Sequence, residues 1–534
     1  MSAPASSVLP GPHSPAVAGP RSAIATVERA LAWAGPVFVT LLVLWFARQT
    51  LLEGVAFWDT AEFQTVPPLL GSLHPTGFPA YTISGWLFST VLGPLGSPAF
   101  LMNLYSAVCV AGAAGLTVVL VRQLTGRPVI AIAAGLVLFL TAITWTISTH
   151  ADAHSLHLFL LALALVLLVA WESRVRSADG PARTADRWLV GAAVVYAVAV
   201  GNHSLALLAA PGIAAFVLLV QPGVLRRRVA IESVGAFLLV TVLLYLELPL
   251  RAGPFRAPIV YGHPETLAGL LYIVSGAQFS GTLGIPGGDL GGRFHDFVDL
   301  VAGQLGPLAV LLPVALVVAA VRRPRYMVLT GSTLALTCLF AFFYTNADID
   351  RYYLGPLLIA VTWLAILCAW IVDTIAEVVV RTGRSGAALG LILDVVLAAA
   401  LLGPALSTAD AVRHAVDESG PDAAQLWVDR VLGELEPDAV VVSWWSYSTP
   451  LWYATEVEGR RRDITVIDDR TRLDENLGDV PTVIDSYLGK RPVYVIRVPQ
   501  DMPALEARYR IAPLPDQAAS GLSLVTGRLI GDAR

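Results

Sequence analysis

The fold of this chain turns on Phe57-Trp58-Asp59-Thr60-Ala61-Glu62-Phe63, followed shortly by His74-Pro75-Thr76-Gly77-Phe78-Pro79. The two carboxylates stand just beyond the first long apolar run. On a helix, Asp59 and Glu62 fall at i and i+3 and share one face. Such a pair arises in two ways. One is an N-cap Asp with a first-turn Glu, common at helix starts. The other is a catalytic acid or base held at a membrane surface.

The chain around this stretch is oily. Of its 534 residues, 56% are hydrophobic and 14% charged, with a mean hydropathy of +0.68. Soluble proteins carry about 25% charged residues, so a polytopic membrane protein is expected. The net charge of −5 is small, and no nucleic-acid partner is expected. Lys490 is the sole lysine, an arginine bias that fits a GC-rich bacterial genome and hence a bacterial plasma membrane. Cys109, Cys338 and Cys368 all lie in apolar runs and read as packed residues without redox or metal roles. The Ala-, Pro- and Ser-rich residues 1–33 read as a flexible cytoplasmic tail without a cleavable signal peptide.

Apolar runs of spanning length occur at about 35–52, 99–121, 129–147, 151–171, 187–200, 204–221, 229–250, 303–321, 327–345, 353–380 and 387–406, with a shorter one at about 78–92. About 11–12 membrane helices are expected. Arginines orient them. The short loops bearing Arg122 and Arg127, Arg174 to Arg187, Arg226 to Arg228, Arg322 to Arg325, and Arg381 with Arg384 belong on the cytoplasmic side. The opposite side then receives a first external loop (53–98), the hairpin near Asp152, the turn at Asn202-His203, a long loop (251–302), the segment Asn346 to Arg351, and the C-terminal residues. With the amino terminus inside, the run at 78–92 cannot be a full crossing. It reads as a partly inserted or external-face helix, the alternatives being an amino terminus outside or a misplaced crossing elsewhere.

The membrane domain is expected over 34–406 and a soluble domain over 407–534. In the latter, β-branched runs at 439–442, 464–467 and 493–496 alternate with helical patterns such as Ala423 to Leu435, which argues for a small α/β domain. No internal repeat, phosphate-binding glycine loop or zinc-type spacing is present.

Ionisable groups at membrane depth cost about 3 kcal/mol each on insertion scales, so their clustering needs a reason. They gather on the side opposite the arginine loops. Asp59 and Glu62 come first. His150, Asp152, His154 and His157 follow, a group that suits interfacial histidines behind an N-cap Asp as well as it suits a metal site. Gly201-Asn202-His203-Ser204 adds a polar turn, and Asn346-Ala-Asp348-Ile-Asp350-Arg351 adds two acids with an arginine able either to pair with them or to hold a phosphate. Arg251 ends a helix facing outward, where it is either a snorkelling side chain or a phosphate ligand. Trp444-Trp445-Ser-Tyr447 is aromatic enough to stack on sugars, although core packing is its commoner use. Together these groups indicate an external cavity that binds something polar.

Asp59-Thr-Ala-Glu62, His74-Pro-Thr-Gly-Phe-Pro79 and Asn103-Leu-Tyr-Ser106 resemble the opening signature of a multi-spanning family grouped with the protein O-mannosyltransferase-like enzymes of the GT-C glycosyltransferase superfamily. That signature runs Asp-Ser-Gly-Glu, His-Pro-Pro-Gly-Tyr-Pro, then Arg-x-Asn-x-x-Ser. Ala151-Asp-Ala-His-Ser-Leu-His157, Gly201-Asn-His-Ser204 and the segment from Tyr261-Gly-His-Pro-Glu-Thr266 to Phe279 resemble later family segments, so the likeness covers about 50–280 and runs more faintly to Tyr353. Thr76, Met102, Asp152 and His154 depart from the family's usual Pro, Arg, Glu and Tyr.

The resemblance implies a GT-C-like helical bundle that moves a sugar, mannose, from a polyprenyl-phosphate donor to a hydroxyl of a protein, lipid or glycan acceptor on the extracytoplasmic face. Asp59 matches the essential Asp of the first external loop and is the expected base, with Glu62 second. Arg251 and Arg351 are the candidates for the departing phosphate, supported by His74 and His203. Asn103, Asp152, His154, His157, Asp348 and Asp350 complete the candidate binding set. The resemblance implies a lipid-linked sugar donor; a divalent metal at the His150 to His157 cluster stays open but is not demanded, because arginine can carry the phosphate charge. Two other classes compete: a lipid or solute transporter or flippase, disfavoured by one-sided polar groups and the lack of a repeat, and a catalytically inactive scaffold relative.

Overall fold

The computed structural model describes residues 20–177, 182–284, 289–381, 386–514 and 517–529. The chain is a multi-pass membrane protein. Among the described residues, nine helices are long and apolar enough to cross a bilayer, and two shorter apolar helices, Pro128–Leu140 and Ser204–Val220, stand among them. The membrane part begins with α1 (Pro20–Gln49), α2 (Trp58–Thr65), α3 (Pro79–Val91), α4 (Pro98–Thr125), α5 (Pro128–Leu140), α6 (Ala142–Ile147), α7 (Ala153–Arg176) and α8 (Ala182–Asn202). It continues with α9 (Ala210–Val220), α10 (Arg228–Tyr245), α11 (Glu247–Ala252), α12 (Leu267–Ser275), α13 (Leu290–Leu305), α14 (Leu312–Arg322), α15 (Pro324–Phe343), α16 (Leu354–Arg381) and α17 (Gly386–Val416). α4, α7 and α16 are the inner helices, and with α1, α5 and α17 they enclose a core that includes Val39, Trp145, Trp171 and Leu358.

Three boundaries differ from expectation. Residues 1–19 of the expected tail lie outside the described residues, but α1 starts at Pro20 and not at 34. Ala23, Ala25, Ala30 and Ala32 favour helix strongly enough to extend the span outward. α17 runs through Pro404 and on to Val416, past the expected end at 406, and stops short of Gly420-Pro421. The long external loop gives way at Leu290 to α13, which leads through a 3-10 stretch into α14. The run at 78–92 forms α3, whose 13 residues reach about 20 Å, short of the roughly 30 Å apolar core of a bilayer. α3 packs on α4 and α8.

The loops at one end of the bundle are clamped by arginines. Arg127 holds Asp373 at 2.5 Å and Asp394 at 2.8 Å, Arg322 shares Asp373, Arg227 pairs with Asp186, and Arg323 donates to the Leu124 carbonyl.

At the other end sits the small α/β domain. Its five strands are β1 (Val440–Ser443), β2 (Thr465–Asp468), β3 (Val493–Ile496), β4 (Tyr509–Pro513) and β5 (Ser523–Arg528), in spatial order β2-β1-β3-β5-β4. β1 runs parallel to both β2 and β3, with Val441 opposite Val466 and Tyr494, whereas β5 is antiparallel to β3 and β4. Helices α18 (Ala423–Glu434), α19 (Trp445–Trp452) and α20 (Asp469–Asp474) precede β1, follow β1 and follow β2. The domain is fastened to the first external loop. Phe57 packs edge-on against Trp427 and Tyr447, the Tyr453 hydroxyl accepts from the Ala99 N–H, and α19 lies against α2.

Candidate active site

Asp59 and Glu62 both lie on α2, yet their environments differ completely. Glu62 is fully buried, and its two oxygens accept from the His74 backbone N–H at 2.7 Å and the His74 Nδ1 at 2.9 Å. It is the anchor of the His74 to Pro79 loop. At Gly77 (φ +83) a Cβ would meet Ile273 at 2.9 Å and Leu248 at 3.1 Å, which accounts for glycine at that point of the motif. Asp59 is partly accessible and accepts from Arg351 Nη2 at 2.9 Å.

Arg351, on the 3-10 turn that leads into α16, binds a second carboxylate through Nη1, Asp152 Oδ2 at 2.9 Å. Asp152 caps α7 by accepting from the His154 N–H, and it also accepts from His154 Nδ1 at 2.9 Å. The His154 ring in turn lies 4.7 Å from that of His203 and 5.1 Å from that of Tyr352. Asp59, Arg351, Asp152 and His154 thus form one chain of charge-assisted hydrogen bonds across three separated segments. Burial opposes ionisation of both acids. For Asp59 the nearby His74 ring and the Arg351 guanidinium outweigh it and hold the carboxyl below its usual value. For Asp152, Arg351 and His154 hold it well below the carboxylate range.

This chain opens onto a cavity of about 800 Å³. Asp59, His74, His154, His203, Asn346, Tyr352 and Arg351 supply its polar wall, while Leu205, Leu207, Leu208, Leu283, Phe279 and Phe340 supply an apolar one. The soluble domain contributes Trp445 and Arg470. Asp59, Glu62 and His74 also offer ligand atoms within 4.8 Å of one another, a set able to take a divalent cation, although Glu62 already accepts twice from His74.

The remaining candidates lie elsewhere. Asn103 is fully buried behind the site: its Oδ1 accepts from Gln64 Nε2 and the Ala151 N–H, and its Nδ2 donates to the Leu52 and Gly54 carbonyls. It joins the first loop to the Asp152 hairpin and does not line the cavity. Arg251 donates to the Leu69 and Leu70 carbonyls at 3.1 and 2.6 Å, which the left-handed turn at Leu70 leaves free. His157 borders a smaller apolar cavity with Leu160, Tyr196 and Ile213. Asp348 is exposed, 3.9 Å from Arg351, and neither it nor Asp350 lines the main cavity. His150 pairs with Glu418 beyond α17, at 2.9 Å. Trp445, for which core packing was the expected use, stands in the cavity wall, and Arg470 carried no motif that could have singled it out.

Residues 59–223 match the family model described as the protein O-mannosyl-transferase TMEM260 N-terminal domain. The fold of the whole chain is similar to that of ArnT from Cupriavidus metallidurans bound to undecaprenyl phosphate (TM-score 0.58, 14% identity, 91% of this chain and 95% of that one). Residues 59–223 are thus similar to a protein O-mannosyl-transferase domain, and most of the chain shares its fold with ArnT. A mouse relative, protein O-mannosyl-transferase TMEM260, is 27% identical over 230 residues, 42% of this chain and 31% of its own, so the chain matches about a third of that relative's length. The oligosaccharyltransferase AglB of Archaeoglobus fulgidus, solved with an inhibitory peptide and a dolichol-phosphate, has a similar fold at a TM-score of 0.52 and 12% identity, over 93% of this chain and 75% of that one.

Proposed function

We propose that the chain is a membrane glycosyltransferase that moves a sugar, mannose, from a polyprenyl-phosphate donor to an acceptor hydroxyl at the extracytoplasmic face, with Asp59 as base. The observation that carries this reading is the Asp59–Arg351–Asp152 chain facing a cavity with one polar and one apolar wall. The family match beginning at Asp59, and the polyprenyl-phosphate-type lipids bound by fold relatives, support it.

In the reaction, the acceptor oxygen attacks the anomeric carbon, the bond from that carbon to the phosphate oxygen breaks, and the lipid phosphate leaves with the bonding electrons. The acceptor proton passes to Asp59. While Arg351 grips Asp59 the carboxylate is a weak base. An arriving phosphate competes for the Arg351 guanidinium, and each hydrogen bond withdrawn from Asp59 raises its basicity where the proton is released. The basic loops at the far end support an outward-facing cavity, as the positive-inside rule expects.

The test is transfer of radiolabel from polyprenyl-phosphate-mannose to a membrane extract by purified wild type and Asp59→Asn. A loss of about 10²- to 10⁴-fold in the variant is expected, the usual contribution of a positioned general base. Equal transfer by the two proteins would remove Asp59 from the chemistry.

A further inference from the structure

The two residues that the soluble domain sends into the cavity come from matching places in its sheet. Trp445 opens α19, just past the carboxyl end of β1, and Arg470 lies in α20, just past the carboxyl end of β2. Those strands are adjacent and parallel. In open α/β sheets ligands bind in the crevice outside the carboxyl ends of the strands, where the strand order reverses, and β1 borders that point here. Here that crevice is turned toward the membrane cavity.

Arg470 differs from Arg351 and Arg497 in how its charge is held. Arg351 is held by Asp59 and Asp152, and Arg497 by Asp469 and Asp501. Arg470 forms no ion pair among the described residues. Its guanidinium lies over the rings of Trp445, at 4.6 Å, and Tyr261, at 5.3 Å. Those rings are fixed to each other by a 3.0 Å hydrogen bond from Trp445 Nε1 to the Tyr261 hydroxyl. Arg470 Nη1 is buried with no hydrogen-bond partner. Two nearby acids are committed elsewhere, Glu62 to His74 and Asp59 to Arg351, while Asp468 gives one oxygen to the Thr471 N–H that starts α20 and makes no hydrogen bond through the other. A buried N–H donor without an acceptor is costly. Stacking holds the guanidinium plane on the two rings while its edge keeps the donor fork that suits a phosphate.

We infer that Arg470 is the principal ligand of the donor's phosphate, so that the soluble domain completes the donor site. This rests on the glycosyl-transfer reading above and deepens it. Arg351, shared between two carboxylates, then loosens its hold on Asp59 as the phosphate arrives, and the charge drawing the phosphate in comes from outside the membrane domain. The lipid tail follows the wall of Leu205, Leu207, Leu208 and Phe340.

The test is equilibrium binding of undecaprenyl phosphate and of uncharged undecaprenol, in detergent micelles, to the full-length protein. Wild type, Arg470→Gln and Arg470→Lys are compared after matched size-exclusion profiles. Wild type is expected to prefer the phosphate by roughly ten- to hundredfold, as one charge-assisted contact provides. Arg470→Gln is expected to lose that preference with undecaprenol binding unchanged, and Arg470→Lys to keep part of it. A wild-type preference retained in Arg470→Gln overturns the assignment of Arg470 and leaves the transferase reading standing. Absence of any preference in wild type overturns both.

Discussion

Glu62 is the sharpest case in which two neighbouring carboxylates can be told apart. Its buried oxygens accept two bonds from His74, at 2.7 and 2.9 Å, so its work is to hold the His74 loop. In Glu62→Gln the remaining oxygen can still accept from the His74 backbone N–H. The new amide can donate to Nδ1 once the ring proton moves to Nε2. What is lost is the charge on two bonds, a difference of about 1 kcal/mol each and about 2 kcal/mol in all. Glu62→Ala instead leaves a buried N–H and a ring nitrogen facing a void, at about 3–5 kcal/mol. Glu62→Gln should therefore lower the apparent melting temperature modestly and keep transfer within roughly tenfold of wild type. Glu62→Ala should accumulate poorly. Transfer of radiolabelled sugar and melting followed by size-exclusion chromatography are measured on the same preparations. A Glu62→Gln protein as inactive as Asp59→Asn, yet melting like wild type, would refute the reasoning and make Glu62 a chemical participant.

Other expectations concern residues outside the cavity. Asn103→Ala removes all four side-chain hydrogen bonds of a fully buried hub and should cost about 3–5 kcal/mol, seen as loss of monodisperse protein in detergent. Arg251→Met should lower melting temperature while leaving the KM for the lipid donor unchanged, since its guanidinium serves the Leu69 and Leu70 carbonyls. The His150–Glu418 pair predicts a pH dependence. Burial disfavours charged His150, but its hydrogen bond to Glu418 wins and raises it above 6.5. Its contribution is therefore complete below about 6.5 and is lost as pH climbs through the raised value. Glu418, opposed by burial but lowered below 4.5 by His150, keeps its contribution above that pH and loses it in stronger acid. A melting series between these limits and into mild alkali should show the His150 loss in wild type and not in His150→Gln.

Much of this architecture was legible in the residues because a bilayer constrains them strongly. Apolar runs of spanning length and one-sided arginines need no tertiary knowledge, and the Asp59, Asp152 and Arg351 segments stood out as charge where charge is expensive. The sorting inside that polar set was not legible. Asn103 and Glu62 share motifs with cavity residues, and only packing reveals that their hydrogen bonds are all spent on neighbouring backbone and side chains. Arg251 looked like a phosphate ligand because its turn partner at Leu70 has no signature along the chain. Arg470 reaches the cavity through the docking of a second domain, a contact over 400 residues from Asp59 in sequence. The last two strands also escaped notice, since Tyr509–Pro513 is an edge strand with a register shift between Arg510 and Ile511 and has little apolar alternation.

The arginine clamp at the opposite end bears on how the membrane stays sealed. Arg127 ties the foot of α5 to both α16 and α17, and Arg322 adds the end of α14 to the same knot through Asp373. Carriers that alternate their access must part their helices at each end in turn. A bundle stitched shut at one mouth would have to break these pairs on every cycle. The proposed enzyme, working from one aqueous compartment, has no such need, and a closed floor would keep protons and ions from leaking down their gradients through the polar chamber above.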